Sequence, residues 1–331
     1  MPLGLRHPPP SRGNATRPSD PRLTFDNSHL LITLPTPTDP DGTCLALLDR
    51  TTYKQLVCQT SYPCPVSRPR FPAHHIRSAG AAGIGLFAVR NLAAGELVLA
   101  ERPLLVVPAA APEEDWEACV ARLPPAAHRS LMALSDVGPQ NGGRPAARRV
   151  RTNSMRGVSL SGKEQDYLAV GALMGRVNHS CTPNAVVHFD SRALALELRA
   201  LRNVGAGEEL RISYCNAGAP LAIRRAELEL YRFVCNCHSC ASGQAGDAVR
   251  ARIRVPDLQF ITSPAAKIER CLSQVMQLER AGLEVLAAYG TCVALLVGLY
   301  KRLGDFDKAA YYRARTDAWG LAMYGDANRR D

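Results

Sequence analysis

The chain has 331 residues, with 40 Lys plus Arg against 30 Asp plus Glu, a net charge of +10, and 46% hydrophobic residues. That length allows one large or two ordinary domains, and that apolar fraction excludes a globally disordered chain. The basic excess favours acidic partners only weakly and does not by itself make a nucleic-acid-binding protein.

Residues 1–70 are dense in Pro, Ser and Thr, including Pro8-Pro9-Pro10 and Pro35-Thr36-Pro37. They predict a mostly disordered or loosely packed arm, with room for one short helix within Thr43 to Val57. Arg6, Arg12, Arg17 and Arg22 read as a solvated tail. The first 22 residues hold no apolar signal core, and the most apolar later run, Val293 to Leu299, is too short to span a bilayer. The expectation is a soluble intracellular protein, in the nucleus or the cytoplasm, with no membrane association. In that reducing setting the 11 cysteines read as metal ligands or buried side chains rather than disulfides.

From Ile76 the pattern changes. Gly80, Gly83 and Gly85 precede Leu86-Phe87-Ala88-Val89, a buried strand; Asn91 to Gly95 is a turn; Glu96 to Val107 is extended and broken at Pro103. Residues 112–135 switch to helical spacing, with Trp116, Cys119, Val120 and Leu123 on one face and Pro124-Pro125 as the break. Residues 138–163 are rich in Gly and Arg and contain no acid before Glu164, which predicts a solvated loop. No aromatic residues interleave Arg144, Arg148, Arg149, Arg151 and Arg156, which argues against direct nucleic-acid binding by stacking. Glu164 to Met174 reads as a helix. Ala185 to Phe189, Ala193 to Leu201 and Glu208 to Tyr214 read as short strands, the middle one with Leu194, Leu196 and Leu198 in alternation. Three helices follow, over Ala265 to Val285, Leu286 to Leu303 and Phe306 to Met323; the last two resemble a single tetratricopeptide-type hairpin. One such unit is not an array, so it is expected to pack on the preceding domain.

Three thiols within six residues, Cys235, Cys237 and Cys240, can wrap a tetrahedral zinc, which then needs a fourth ligand. Cys181, Cys215 and His238 are the candidates. Gly83-Ile84-Gly85 lets backbone approach a ligand without a Cβ in the way, but lacks the third glycine and helix of a dinucleotide fingerprint.

The run Asn178-His179-Ser180-Cys181-Thr182-Pro183-Asn184-Ala185 is followed by Gly207-Glu208-Glu209-Leu210 and Ser213-Tyr214, then by Cys235-x-Cys237-x-x-Cys240. In that order these elements resemble the SET-domain protein lysine methyltransferases, in the SMYD-like and fungal SET branch, without a MYND finger between Glu96 and Trp116. The resemblance covers residues 76–240 and implies a mainly β SET domain of short sheets and a pseudoknot. By it, residues 71–234 are the SET domain with a helical insert at about 108–174, residues 235–245 a cysteine-rich post-SET segment, and residues 246–331 an α-helical region.

The resemblance also implies the chemistry: an S-adenosyl-L-methionine-dependent protein-lysine N-methyltransferase acting on a histone or non-histone lysine. The alternative is a catalytically silent SET module that binds cofactor or serves as a chromatin adaptor. Gly83, Ile84, Gly85, Asn178, His179, Tyr214 and Phe233 are implied to hold the cofactor, with Asn153, in Arg151-Thr152-Asn153-Ser154, as a further contact. Tyr214 is implied to be catalytic. The structural zinc is implied to take Cys181 with Cys235, Cys237 and Cys240, because the fold would bring the Asn178–Cys181 segment close to the cysteine run. Asn216 stands where relatives carry an acid, and Ala81-Ala82 where they carry Lys or Arg.

Overall fold

The computed structural model describes residues 23–24, 29–60, 62–138, 143–160 and 166–326. Three sheets form its frame. The first is built from β1 (Leu23–Thr24), β2 (His29–Leu34), β3 (Cys44–Asp49), β7 (Leu105–Pro108), β8 (Ser154–Val158) and β9 (Tyr167–Val170), in the order β1-β2-β3-β7-β9-β8. The second has the order β10-β13-β5-β4, from β4 (His74–Ser78), β5 (Ile84–Ala88), β10 (Asn178–His179) and β13 (Glu209–Ile212). The third has the order β11-β12-β6, from β6 (Leu97–Glu101), β11 (Ala185–Asp190) and β12 (Ala195–Ala200).

The first sheet corrects the expectation of a loose arm for residues 29–57. There β2 and β3 pair antiparallel and β3 pairs parallel to β7, burying Leu31, Leu34, Leu47 and Leu48. The helix expected within Thr43 to Val57 begins only at α1 (Arg50–Val57), after Asp49 accepts from the backbone N–H groups of Thr51 and Thr52, both at 2.9 Å. Proline density around the strands masked their apolar content. The arginines at 6, 12, 17 and 22 and the prolines at 8–10 lie outside the described residues.

Against this sheet pack α2 (Glu113–Val120), α3 (Pro125–Met132) and α4 (Pro145–Asn153), joined to Leu31, Leu105, Leu168 and Val170 in one apolar cluster. The helix α4 occupies part of the stretch expected as a loop. Ala146, Ala147 and Val150 give it a buried face, and Asp136 receives Arg148 at 2.8 Å and Arg149 at 3.0 Å. Arg151 pairs with Glu113. These arginines therefore hold the insert together. The helix expected over 164–174 is instead the strand β9 and a 3-10 turn, Met174–Arg176. Four consecutive buried residues carry no period that separates strand from helix.

After β13 come α5 (Leu221–Leu228), the short α6 (His238–Ala241) and α7 (Gln244–Arg252). The last three helices are α8 (Pro264–Ala281), α9 (Ala287–Arg302) and α10 (Phe306–Tyr324). They enclose a core of Cys271, Val275, Leu278, Cys292, Val293 and Leu296, with Trp319 against it. They also dock on the sheets. Val186 of β11 joins their cluster, and a Cβ at Gly95 would lie 2.8 Å from the Ala318 carbonyl oxygen of α10. Among the described residues no helix is long and apolar enough to cross a membrane.

Candidate functional site

Parallel pairing of β10 with β13 sets Asn178 beside Arg211 and His179 beside Ile212, and so brings the Asn-His segment next to the strand that ends at Tyr214. Two carboxylates fix this junction. Glu209 Oε1 accepts from Asn178 Nδ2 at 2.7 Å, and Glu208 Oε1 accepts from Asn184 Nδ2 at 2.8 Å. Asn184 also binds the β13 backbone, donating to Glu209 O at 2.9 Å and accepting from Arg211 N at 2.8 Å. Adjacent glutamates in a strand point to opposite faces, so each can hold a different asparagine. Neither role was legible in the sequence.

The glycine turn closes on the same point. Asn178 Nδ2 donates to the Ile84 carbonyl at 3.3 Å. A Cβ on Gly85 would stand 2.6 Å from Glu209 Oε1 and 2.9 Å from Asn178 Nδ2, so only glycine fits without moving them. Gly83 has φ +81° and open space where its Cβ would be. Ile84, by contrast, is 47% exposed.

His179 links two environments. Its Nδ1 accepts from the Tyr214 N–H at 2.9 Å, which leaves Nε2 to carry the proton, 3.3 Å from Cys181 Sγ. The ring lies 5.3 Å from Tyr214 and 5.8 Å from Phe233, centre to centre. Tyr231, missed in the sequence, lies tilted against Tyr214 with the ring centres 4.7 Å apart. Phe233 remains 40% exposed. It sits with Ile84 among the partly open apolar surfaces of this region.

The Tyr214 hydroxyl donates to the Val177 carbonyl at 2.5 Å, and burial pushes its phenol well above the ordinary tyrosine range. Both residues line a pocket of about 480 Å³ whose walls include Met155, Ile212, Glu227 and Tyr231. Asn153 also lines this pocket, with its Nδ2 already donating to Ser135 O at 2.9 Å and Arg149 O at 2.8 Å. The structure thus gathers Ile84, Gly85, Asn178, His179, Tyr214 and Phe233, and Asn153 shares the pocket of Tyr214.

The thiols of Cys181, Cys235, Cys237 and Cys240 converge, all within 4.8 Å of one another. Cys181 Sγ lies 3.5 Å from Cys240 Sγ and 4.0 Å from Cys235 Sγ. Four sulfurs at about 2.3 Å from one zinc would be separated by about 3.8 Å, so the cluster fits a tetrahedral ion. Of the other candidates for fourth ligand, Cys215 groups with His179 and Cys181 instead, and His238 joins neither group. The Cys181 thiol is pushed far up by Cys215, then by Cys235 and Cys237, while Cys237 is held far below the thiol range by Cys181 and Cys235. Neighbouring sulfurs cannot all be thiolates without a counter-charge, and a bound cation would supply it.

Residues 83–215 match the family model of the SET domain. Similar curated proteins include N-lysine methyltransferase SMYD2-B of Danio rerio, 33% identical over 88 residues, covering 26% of this chain and 20% of that protein. Protein-lysine N-trimethyltransferase SMYD5 of Danio rerio is 41% identical over 80 residues, covering 23% and 19%. Histone-lysine N-methyltransferase Smyd1 of Mus musculus is 30% identical over 189 residues, covering 47% and 39%. The chain therefore spans well under half the length of each of these relatives. It carries a SET domain and is similar there to SMYD-family lysine methyltransferases.

Proposed function

We propose, with that SET domain as the premise, that the chain is a protein-lysine N-methyltransferase that uses S-adenosyl-L-methionine. The cofactor supplies an electrophilic methyl group on a sulfonium. Gly83, Ile84 and Gly85 offer it backbone, Asn178 and His179 polar and backbone contacts, and Phe233 an aromatic cover; Asn153 is a further contact from the Tyr214 pocket. The open surfaces of Phe233 beside His179 and of Ile84 beside Asn178 support this fit.

The chain's own residues have two tasks. The first is to deliver a neutral lysine amine, whose reference pKa is about 10.4. A pocket walled by Met155, Val177, Ile212 and Tyr231 disfavours the ammonium form by desolvation. The second is alignment of the amine nitrogen for in-line attack, at roughly 3 Å approach. The Tyr214 hydroxyl gives its hydrogen to Val177, so its lone pairs remain to orient the amine and the methyl C–H groups. That hydroxyl, fixed in the pocket wall, is the observation that carries the proposal. The substrate is a protein lysine, from a histone or another protein, and zinc in the four-cysteine cluster has a folding role.

Transfer of labelled methyl groups into lysates of cells lacking this protein tests the reading. Labelled methyl-lysine is expected with the wild type. Tyr214→Phe should lower turnover by about 100-fold or change the number of methyl groups added, with cofactor binding and zinc content unchanged. Normal turnover and product distribution in that variant would contradict the role of Tyr214. Cofactor binding without transfer to any protein would favour the silent adaptor instead.

A further inference from the structure

Two arginines lie buried beside the cysteine cluster with too little negative charge to account for them. Arg224, on α5, is 0% exposed, and Arg250, on α7, is 6% exposed. Burying a guanidinium is expensive unless an opposite charge is close and its N–H groups are bonded. Arg224 Nη1 donates to Ala219 O at 2.6 Å and lies 3.7 Å from Asp247 Oδ1. Asp247 is 34% exposed, and the same Oδ1 accepts from Leu221 N at 2.8 Å, so its charge is partly screened and shared. Arg224 Nη2 points at Cys240 Sγ, 3.8 Å away. Arg250 has neutral acceptors only: Ala217 O at 2.7 Å, Ser239 Oγ at 2.5 Å, Gly246 O at 3.3 Å and Cys181 O at 3.4 Å. Among the described residues no carboxylate pairs with it.

The missing charge is what a four-thiolate zinc would supply. Four thiolates around a divalent cation leave a net formal charge of about −2, and two guanidinium groups offset it. We infer that Arg224 and Arg250 are charge-compensating positioning residues of the cysteine centre, and that Arg224 ties the metal to the wall of the pocket. The helix carrying Arg224 also carries Glu227, which accepts from Asn216 N at 2.7 Å, and it leads into Leu230 and Tyr231 beside Tyr214. Loss of the metal therefore strands two buried cations and loosens the element that shapes the substrate side of the site. The inference rests on the zinc reading above.

The test compares purified wild type, Arg224→Met, Arg224→Lys and Arg250→Met. Three quantities are measured: zinc per chain, the rate of zinc release to a chromophoric chelator, and the melting temperature with and without that chelator. The wild type is expected to hold zinc near one per chain. Arg224→Met and Arg250→Met should release it about 10- to 100-fold faster, as for other groups that support metal ligands, and Arg224→Lys should recover most of the difference. The decisive reading is a change of sign. The Met variants should melt below the wild type when zinc is bound, but no lower than it once zinc is removed, because they delete a cation that has lost its counter-charge. A residue that only fills space would lower the melting temperature equally in both states, and that result, or unchanged release rates, would overturn the inference. Should Arg224→Met fail to fold, Arg250→Lys supplies the same comparison through charge retention. A wild type without zinc would instead overturn the metal reading itself, which separates the two failures.

Discussion

In the first sheet, Leu48, Leu105, Val106 and Leu168 are each at most 1% exposed, and they interlock with α1, α2 and α4 through contiguous apolar surface. The segment that closes over Tyr214 is held differently. Among the described residues, Leu228 is the buried aliphatic side chain of the cysteine cluster, and Phe233 and Val234 are 40% and 79% exposed. Apolar burial fixes the sheets whatever the solvent contains, whereas the closing segment depends on sulfur chemistry, His179 and two buried arginines. On the proposed zinc reading, the domain can be well folded while the wall beside Tyr214 is conditional on a metal.

The sharpest way to break this contrast is Cys237→Ser. It should remove zinc and lower the stability of the closing segment by about 3 kcal/mol, the stabilisation lost when a metal present at about 100 times its dissociation constant no longer binds. Metal analysis and thermal melts check it, and unchanged stoichiometry would refute the site. Leu48→Ala should cost a similar 2–5 kcal/mol by leaving a cavity, but equally with and without chelator. A chelator-dependent cost there would erase the distinction between the two regions. Asp136→Asn should have the smallest effect. The Arg148 guanidinium holds the Asp136 carboxyl at about 2, below its unfolded value near 4. Its contribution is therefore complete above about pH 4 and lost as the pH falls towards 2. The partners are partly buried, with Arg148 and Asp136 side chains 13% and 19% exposed, and an acid titration of wild type against variant would resolve the loss.

Legibility in the sequence followed locality. The Asn178–Ala185 run, the strand ending in Tyr214 and the cysteine run are contiguous motifs, and they meet in space. The supports of that meeting are not contiguous. Glu209 reaches Asn178, and Glu208 reaches Asn184, only because β10 and β13 lie side by side. Arg224 sits on an eight-residue helix where an arginine ordinarily faces water, so its burial could be found only by placing the cysteines beneath it. Tyr231 belongs to no motif that marks it in the sequence. Among the elements, the strands His29–Leu34 and Cys44–Asp49 were hidden by the prolines around them, and Tyr167–Val170 lacked any period to read. What one-dimensional spacing carries is the contiguous motifs; what it omits is the set of long-range pairs that hold them.

Whether the glycine turn and the Asn178–His179 strand cradle a methyl donor is most directly settled by calorimetric titration of S-adenosyl-L-methionine into the zinc-loaded chain and its Asn178→Ala variant. Saturable binding near one per chain is expected, weakened by about 10-fold in the variant through loss of the amide's hydrogen bonds. Absence of heat at millimolar ligand, with zinc in place, would contradict the proposed activity.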